Sequence, residues 1–91
     1  MKDIAQIRKS IDKLDSQIIQ ALAKRMKLMD KVADYKKKNN LPVTQPQRER
    51  ELVSNCIRRF KKQGFDDEAF VRKVYKLIIN KGKQIQRKRI K

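Results

Sequence analysis

Arg25 and Lys36 lie eleven residues apart, close to three full helical turns, so on one helix they point the same way. Both fall where an apolar stripe would continue. Steps of three and four from Ile18 lead through Ala21 to Arg25, Leu28 and Val32. A second stripe, run backwards from Leu52 and Val53, reaches Glu49 with Arg48 beside it; a third, run forwards from Ile78, reaches Gly82 and the Ile85–Gln86 edge. A buried charge without a partner is costly. Two readings follow. The charges pair internally, Arg25 with Glu49 for instance, or they line a cavity for an anion. Inward cations outnumber Glu49, which favours a negatively charged ligand.

The remaining inventory narrows the chemistry. The chain has no histidine, which excludes a Ser-His-Asp triad, a histidine general base and a histidine metal site. Catalysis must run on Lys, Arg, Asp, Glu, Gln and the backbone, and no metal or cofactor is expected. The single cysteine, Cys56, cannot form an internal disulfide and fits a reducing cytoplasm. Lys and Arg number 26 against 10 acidic residues, a formal charge of +16, which raises the prior for nucleic acid, an acidic membrane surface or a small polyanion as partner. The plainer alternative is a solvated lysine-rich surface. Nucleic acid is disfavoured: the aromatics Tyr35, Phe60, Phe65, Phe70 and Tyr75 do not interleave with a basic stripe, and no zinc-finger, RRM or KH signature occurs. No run of 18 apolar residues exists that could span a membrane, and MKDIAQIRKSID has no secretory apolar core.

These residues need elements to position them. At 91 residues the chain makes one domain, residues 1–91. Pro42, Pro46, Gly64 and Gly82 are its only Pro and Gly, and the pattern between the first three is helical. The first helix is predicted from about Asp3 to Asn39, with Ile4, Ile7, Ile11, Leu14, Ile18, Leu22, Met29 and Val32 along one face. The second is predicted from a Thr44/Gln47 capping box, with Pro46 in the first turn, to a left-handed Gly64. The third opens at Asp66 or Asp67 and carries Phe70, Val71, Val74, Leu77, Ile78 and Ile85; the tail RKRIK is expected to fray. A first helix of this length extends roughly 55 Å. A compact monomer of this size has a radius of gyration of only about 12 Å. The expected fold is therefore all-α, three helices per chain with one very long, in an intertwined homodimeric bundle. Arg8 stands seventeen residues before Arg25, roughly 25 Å along the helix. If both serve one small-molecule pocket, Arg8 must come from the other subunit.

The run IRKSIDKLDSQIIQALAKRMKLMDKVADYKKKNNLPVTQPQRERELV resembles the all-helical chorismate mutases. Its shared features are an Arg, then Ile-Asp-x-Leu-Asp, an Arg, a Lys eleven later, and Pro with five residues before Arg-Glu-Arg; the likeness covers about residues 4–86. The resemblance implies an intertwined homodimer whose two sites are built from both chains. It implies that Arg8 crosses the interface to a substrate carboxylate, that Arg25 grips a carboxylate within its own chain, and that Lys36 reaches the ether oxygen and a carboxylate. Arg48 would support the carboxylate site, Glu49 would accept from the ring hydroxyl, and Gln86 would donate to the ether oxygen. Gln45 stands where some members have Asp, a contact made largely through the backbone. Gly82 stands where a serine often helps hold a carboxylate, so one hydroxyl is missing and the helix should be weakened there.

The implied reaction is the pericyclic rearrangement of chorismate to prephenate. It needs no nucleophile, metal or cofactor, only a dianion held compactly and donors aimed at an oxygen that gains charge. Related readings on the same fold are an isochorismate pyruvate-lyase, which Glu49 within Arg-Glu-Arg disfavours, and a mutase acting on 4-amino-4-deoxychorismate. With the chain ending soon after Gln86, no built-in feedback site is expected.

Overall fold

The structure, a computed structural model, describes residues 3–91. Three helices account for most of them: α1 (Ile4–Lys38), α2 (Pro46–Lys62) and α3 (Glu68–Ile90). No strand occurs among the described residues.

Each boundary has a local cause. At the start of α1 the Asp3 side chain accepts from the Gln6 N–H at 2.9 Å. Its last turn carries Lys36, Lys37 and Lys38, cations suited to the negative end of the helix dipole. The helix stops because Asn40 turns left-handed (φ 55°), letting the Leu41 N–H return to the Lys36 carbonyl at 2.8 Å. The end of α2 repeats this with Gly64 (φ 84°): the Phe65 N–H reaches the Phe60 carbonyl at 2.9 Å, and the Phe60 and Phe65 rings sit 5.6 Å apart. Helix α3 is capped by Asp67, which accepts from the Phe70 N–H at 3.1 Å.

Two sequence expectations need correction. The Thr44/Gln47 capping box does not form. Gln45 is the N-cap of α2, its own N–H donates to the Glu49 carboxylate at 3.2 Å, and the Thr44 hydroxyl instead accepts from Arg87 at 3.2 Å. The RKRIK tail is helical to Ile90 rather than frayed, because Arg89 donates twice to the Asp34 carboxylate, at 3.1 and 3.2 Å, tying the last turn of α3 to α1.

Helix α3 is the hub, packing on the C-terminal half of α1 and on α2. Cys56, Ile57 and Val71 form the buried core between α2 and α3, with Leu52, Val53, Phe60 and Tyr75 against it. On the α1 side, Ala33 is fully buried. The N-terminal half of α1 touches neither partner helix closely: every residue from Asp3 to Ala21 is exposed, including Ile4, Ile11, Leu14, Ile18 and Ile19. Leu77, placed on the inner stripe by its spacing, is also bare at 72% exposure. The chain is consequently elongated, 57 × 23 × 16 Å with a radius of gyration of 16.5 Å, against about 12 Å for a compact chain of this length.

Candidate active site

The C-terminal half of α1, the 41–45 loop, the start of α2 and the end of α3 enclose a cavity of about 660 Å³. Its wall holds the cations Arg25, Lys31, Lys36, Arg48 and Lys83, the carboxylate of Glu49 and the amide of Gln86. Leu28, Met29, Val32, Leu41, Leu52 and Ile79 form its apolar lining.

Lys36 anchors the polar side. Its ammonium donates to the Val43 carbonyl and to Gln86 Oε1, both at 2.8 Å. Burial pushes its pKa below the ordinary lysine value; the Glu49 carboxylate opposes that shift and the Lys83 ammonium adds to it. Gln86 is only 5% exposed. With its oxygen taken by Lys36, its amide nitrogen faces only the Met29 thioether at 3.5 Å, a weak acceptor. A preorganised N–H donor is thus left for a better oxygen.

Both oxygens of Glu49 are engaged. Oε2 accepts from the Gln45 backbone N–H at 3.2 Å, and Oε1 accepts from Lys83 at 3.1 Å. The Arg25–Glu49 pair that the sequence left open does not form: Lys83 takes Glu49, and neither Arg25 nor Arg48 has an ion pair among the described residues. Arg25 is half-buried and Arg48 exposed, and both border the cavity. Cations therefore exceed the carboxylate there, as an anionic ligand requires.

Of the residues singled out in the sequence, Arg25, Lys36, Gln45, Arg48, Glu49 and Gln86 converge on this cavity. Two lie elsewhere. Arg8 sits on the exposed arm of α1, away from the cavity of its own chain. Gly82 is buried behind the wall, where Met29 packs on its backbone; a Cβ there would lie 2.9 Å from the Met29 sulfur. The glycine admits α1 to α3 rather than leaving a gap. Lys83 was missed by sequence reasoning. The available signal was its spacing: Ile79, Lys83 and Gln86 step by four and three along one face of α3.

Comparison with known proteins places the chain in a family. The family model described as chorismate mutase type II matches residues 7–87. A protein named chorismate mutase from Methanocaldococcus jannaschii is 31% identical over 87 residues, covering 96% of this chain and 87% of that protein. A bifunctional chorismate mutase/prephenate dehydratase from Aquifex aeolicus is 34% identical over 91 residues, and one from Buchnera aphidicola 33% over 86. The chain spans only 25% and 22% of the length of those two bifunctional proteins. No solved structure matches the chain significantly.

Proposed function

This chain belongs to the chorismate mutase type II family, and on that premise we propose that it is an isomerase converting chorismate to prephenate. The observation that carries the reading is the Lys36–Gln86 hydrogen bond inside a cavity with five cations and one carboxylate.

Chorismate is a dianion with one ether oxygen and one hydroxyl donor. Arg25 and Arg48 take a carboxylate. Guanidinium groups suit this task because their planar donors match carboxylate geometry. Arg8, arriving from a second copy, takes the other. The hydroxyl, the substrate's only donor, goes to Glu49, the only carboxylate of the cavity. The ether oxygen then lies against the Lys36 ammonium and the Gln86 amide nitrogen, displacing the weak thioether contact. As the C–O bond breaks, charge builds on that oxygen while its donors are already in place, worth about 3 kcal/mol each. Holding the enolpyruvyl side chain over the ring supplies the rest by restricting conformation. The Gln45 backbone N–H steadies Glu49. Gly82 acts through packing, not through substrate.

We further propose an intertwined homodimer. Support comes from the bare stripe of Ile4, Ile7, Ile11, Leu14 and Ile18, which are 41–61% exposed on a helix reaching well beyond its own core. Burying such a side chain fully contributes about 1.5–3 kcal/mol. Pairing the arms removes this surface from water and carries each Arg8 toward the opposite cavity. The shikimate pathway is the setting the family implies, and a cytoplasmic one keeps Cys56 a thiol. No helix among the described residues is long and apolar enough to cross a membrane.

The test is to mix the purified chain with chorismate and follow its loss and the appearance of prephenate, alongside Arg25→Ala and Lys36→Ala. Turnover by the wild type with losses in both variants is expected. Equal behaviour of all three proteins would falsify the assignment, and salicylate plus pyruvate from isochorismate would redirect it to a lyase.

A further inference from the structure

The family resemblance assigns no role to two charged residues of the cavity, the exposed Lys31 and the largely buried Lys83, and only Lys83 contacts another residue named for the site. It projects from α3 one turn before Gln86, its side chain 16% exposed, and it closes a 3.1 Å ion pair with Glu49, itself 27% exposed. The pair also borders a second groove between α2 and α3, lined by Arg72, Lys73, Lys76 and Asn80. It is thus a wall between two basic concavities. Glu49 is the only acid lining either one.

This wall has a consequence for ligand choice. An isolated Glu49 would present a full negative charge and would attract a cation. With Lys83 in contact, the pair is close to neutral overall, yet the Glu49 oxygens keep lone pairs that can accept a hydrogen bond. A neutral donor meets an acceptor whose own charge is offset by Lys83. A cationic donor meets the same acceptor with an ammonium behind it, and like-charge repulsion in a half-buried setting is strong.

We propose that Lys83 determines specificity at this site: by neutralising Glu49 it selects a ring hydroxyl and rejects a ring ammonium. This rests on the mutase reading above. The two substrates that differ in this one group are chorismate and 4-amino-4-deoxychorismate, whose allylic amine is protonated at neutral pH. Lys83 acts through Glu49, so it is a positioning residue and not a catalytic one. The lowered pKa of Lys36, to which Lys83 contributes, agrees with the ammonium of Lys83 being felt within the cavity.

The experiment measures kcat/KM for both substrates with the full chain as wild type, Lys83→Met and Lys83→Arg. Met keeps the length of the side chain and removes the charge; Arg keeps the charge. The amino-to-hydroxy ratio should rise at least about tenfold in Lys83→Met, mostly through KM, and stay at the wild-type value in Lys83→Arg. A structural role alone would depress both substrates together and leave the ratio unchanged. Should Lys83→Met lose helicity, Lys83→Gln carries the same comparison. Chorismate turnover by the wild type with an unshifted ratio in the charge-removing variant overturns the role of Lys83 and leaves the mutase reading intact. No turnover of either substrate by the wild type overturns both.

Discussion

Lys36 and Gln86, fifty residues apart in the chain, meet at 2.8 Å, and the direction of that bond decides what each can still do. The ammonium donates to the amide oxygen, so the amide nitrogen is left with only the weak Met29 thioether as its acceptor. Lys36 keeps one further N–H after serving Val43 and Gln86. Two donors from different helices are thereby aimed at one small volume.

Removing either donor should slow the chemical step. Lys36→Ala and Gln86→Ala are each expected to lower kcat by about 10²–10³ with a smaller change in KM. Single-turnover measurements with chorismate check this. An effect confined to KM would show that these groups serve ground-state binding only.

The pH profile follows from the same pair. Gln86 is neutral at all ordinary pH, so turnover should stay level between pH 6 and 8. Lys36 must remain charged to stabilise developing negative charge. Its pKa is lowered by burial, so the charged form is lost on going up in pH, and the decline starts sooner than for a free lysine at 10.5. In Gln86→Glu the carboxyl donates only when protonated, so its activity should fall as pH rises through the 6–8 interval. Rates measured over this interval for both proteins provide the check, and a steep fall in the wild type would contradict it.

Gly82 offers a test of packing against binding. An alanine at an interior helix position gains about 1 kcal/mol over glycine. Here its Cβ would press to 2.9 Å from the Met29 sulfur, which must swing away. Met29 also holds the Gln86 amide, so its displacement disturbs the donor. Gly82→Ala is expected to leave the melting temperature within a few degrees while cutting kcat several-fold. Unimpaired turnover in this variant would show that Met29 moves at no expense to the site.

Assembly can be tested by complementation. Arg8→Ala and Arg25→Ala should each be nearly inactive alone. Mixed and allowed to exchange subunits, half the dimers become hybrids with one intact site of two, so about a quarter of wild-type activity should return. Ile18→Asp, placed on the bare stripe, should abolish both the dimer in sedimentation and the recovery. Full activity of either arginine variant on its own would remove the case for a shared site.

Much of the scaffold was legible because its signals are local. Helix α1 has no internal Gly or Pro and an acidic cap at Asp3; Gly64 and Asp67 mark the α2–α3 turn by side-chain chemistry alone. The residues that eluded the sequence depend on distant partners. The RKRIK tail meets Asp34, fifty-five residues away from Arg89, and Thr44, forty-three away from Arg87. Thr44 loses its capping role to Arg87. Lys83 sits one position beyond Gly82, and only the closeness of Glu49 across the helix interface distinguishes it from the many solvated lysines. Helical periodicity gives the side of a helix, not the residue waiting opposite.

The unbroken run of α1 from Ile4 to Lys38 works as a ruler with a built-in phase. One extra residue inserted near Ala21 would turn everything ahead of it by about 100° and advance it about 1.5 Å. In the proposed homodimer Arg8 would then leave the mate's entrance while every local contact around Lys36 survived. Deletions in this stretch should obey the same angular arithmetic, tolerated best when whole turns are removed in register.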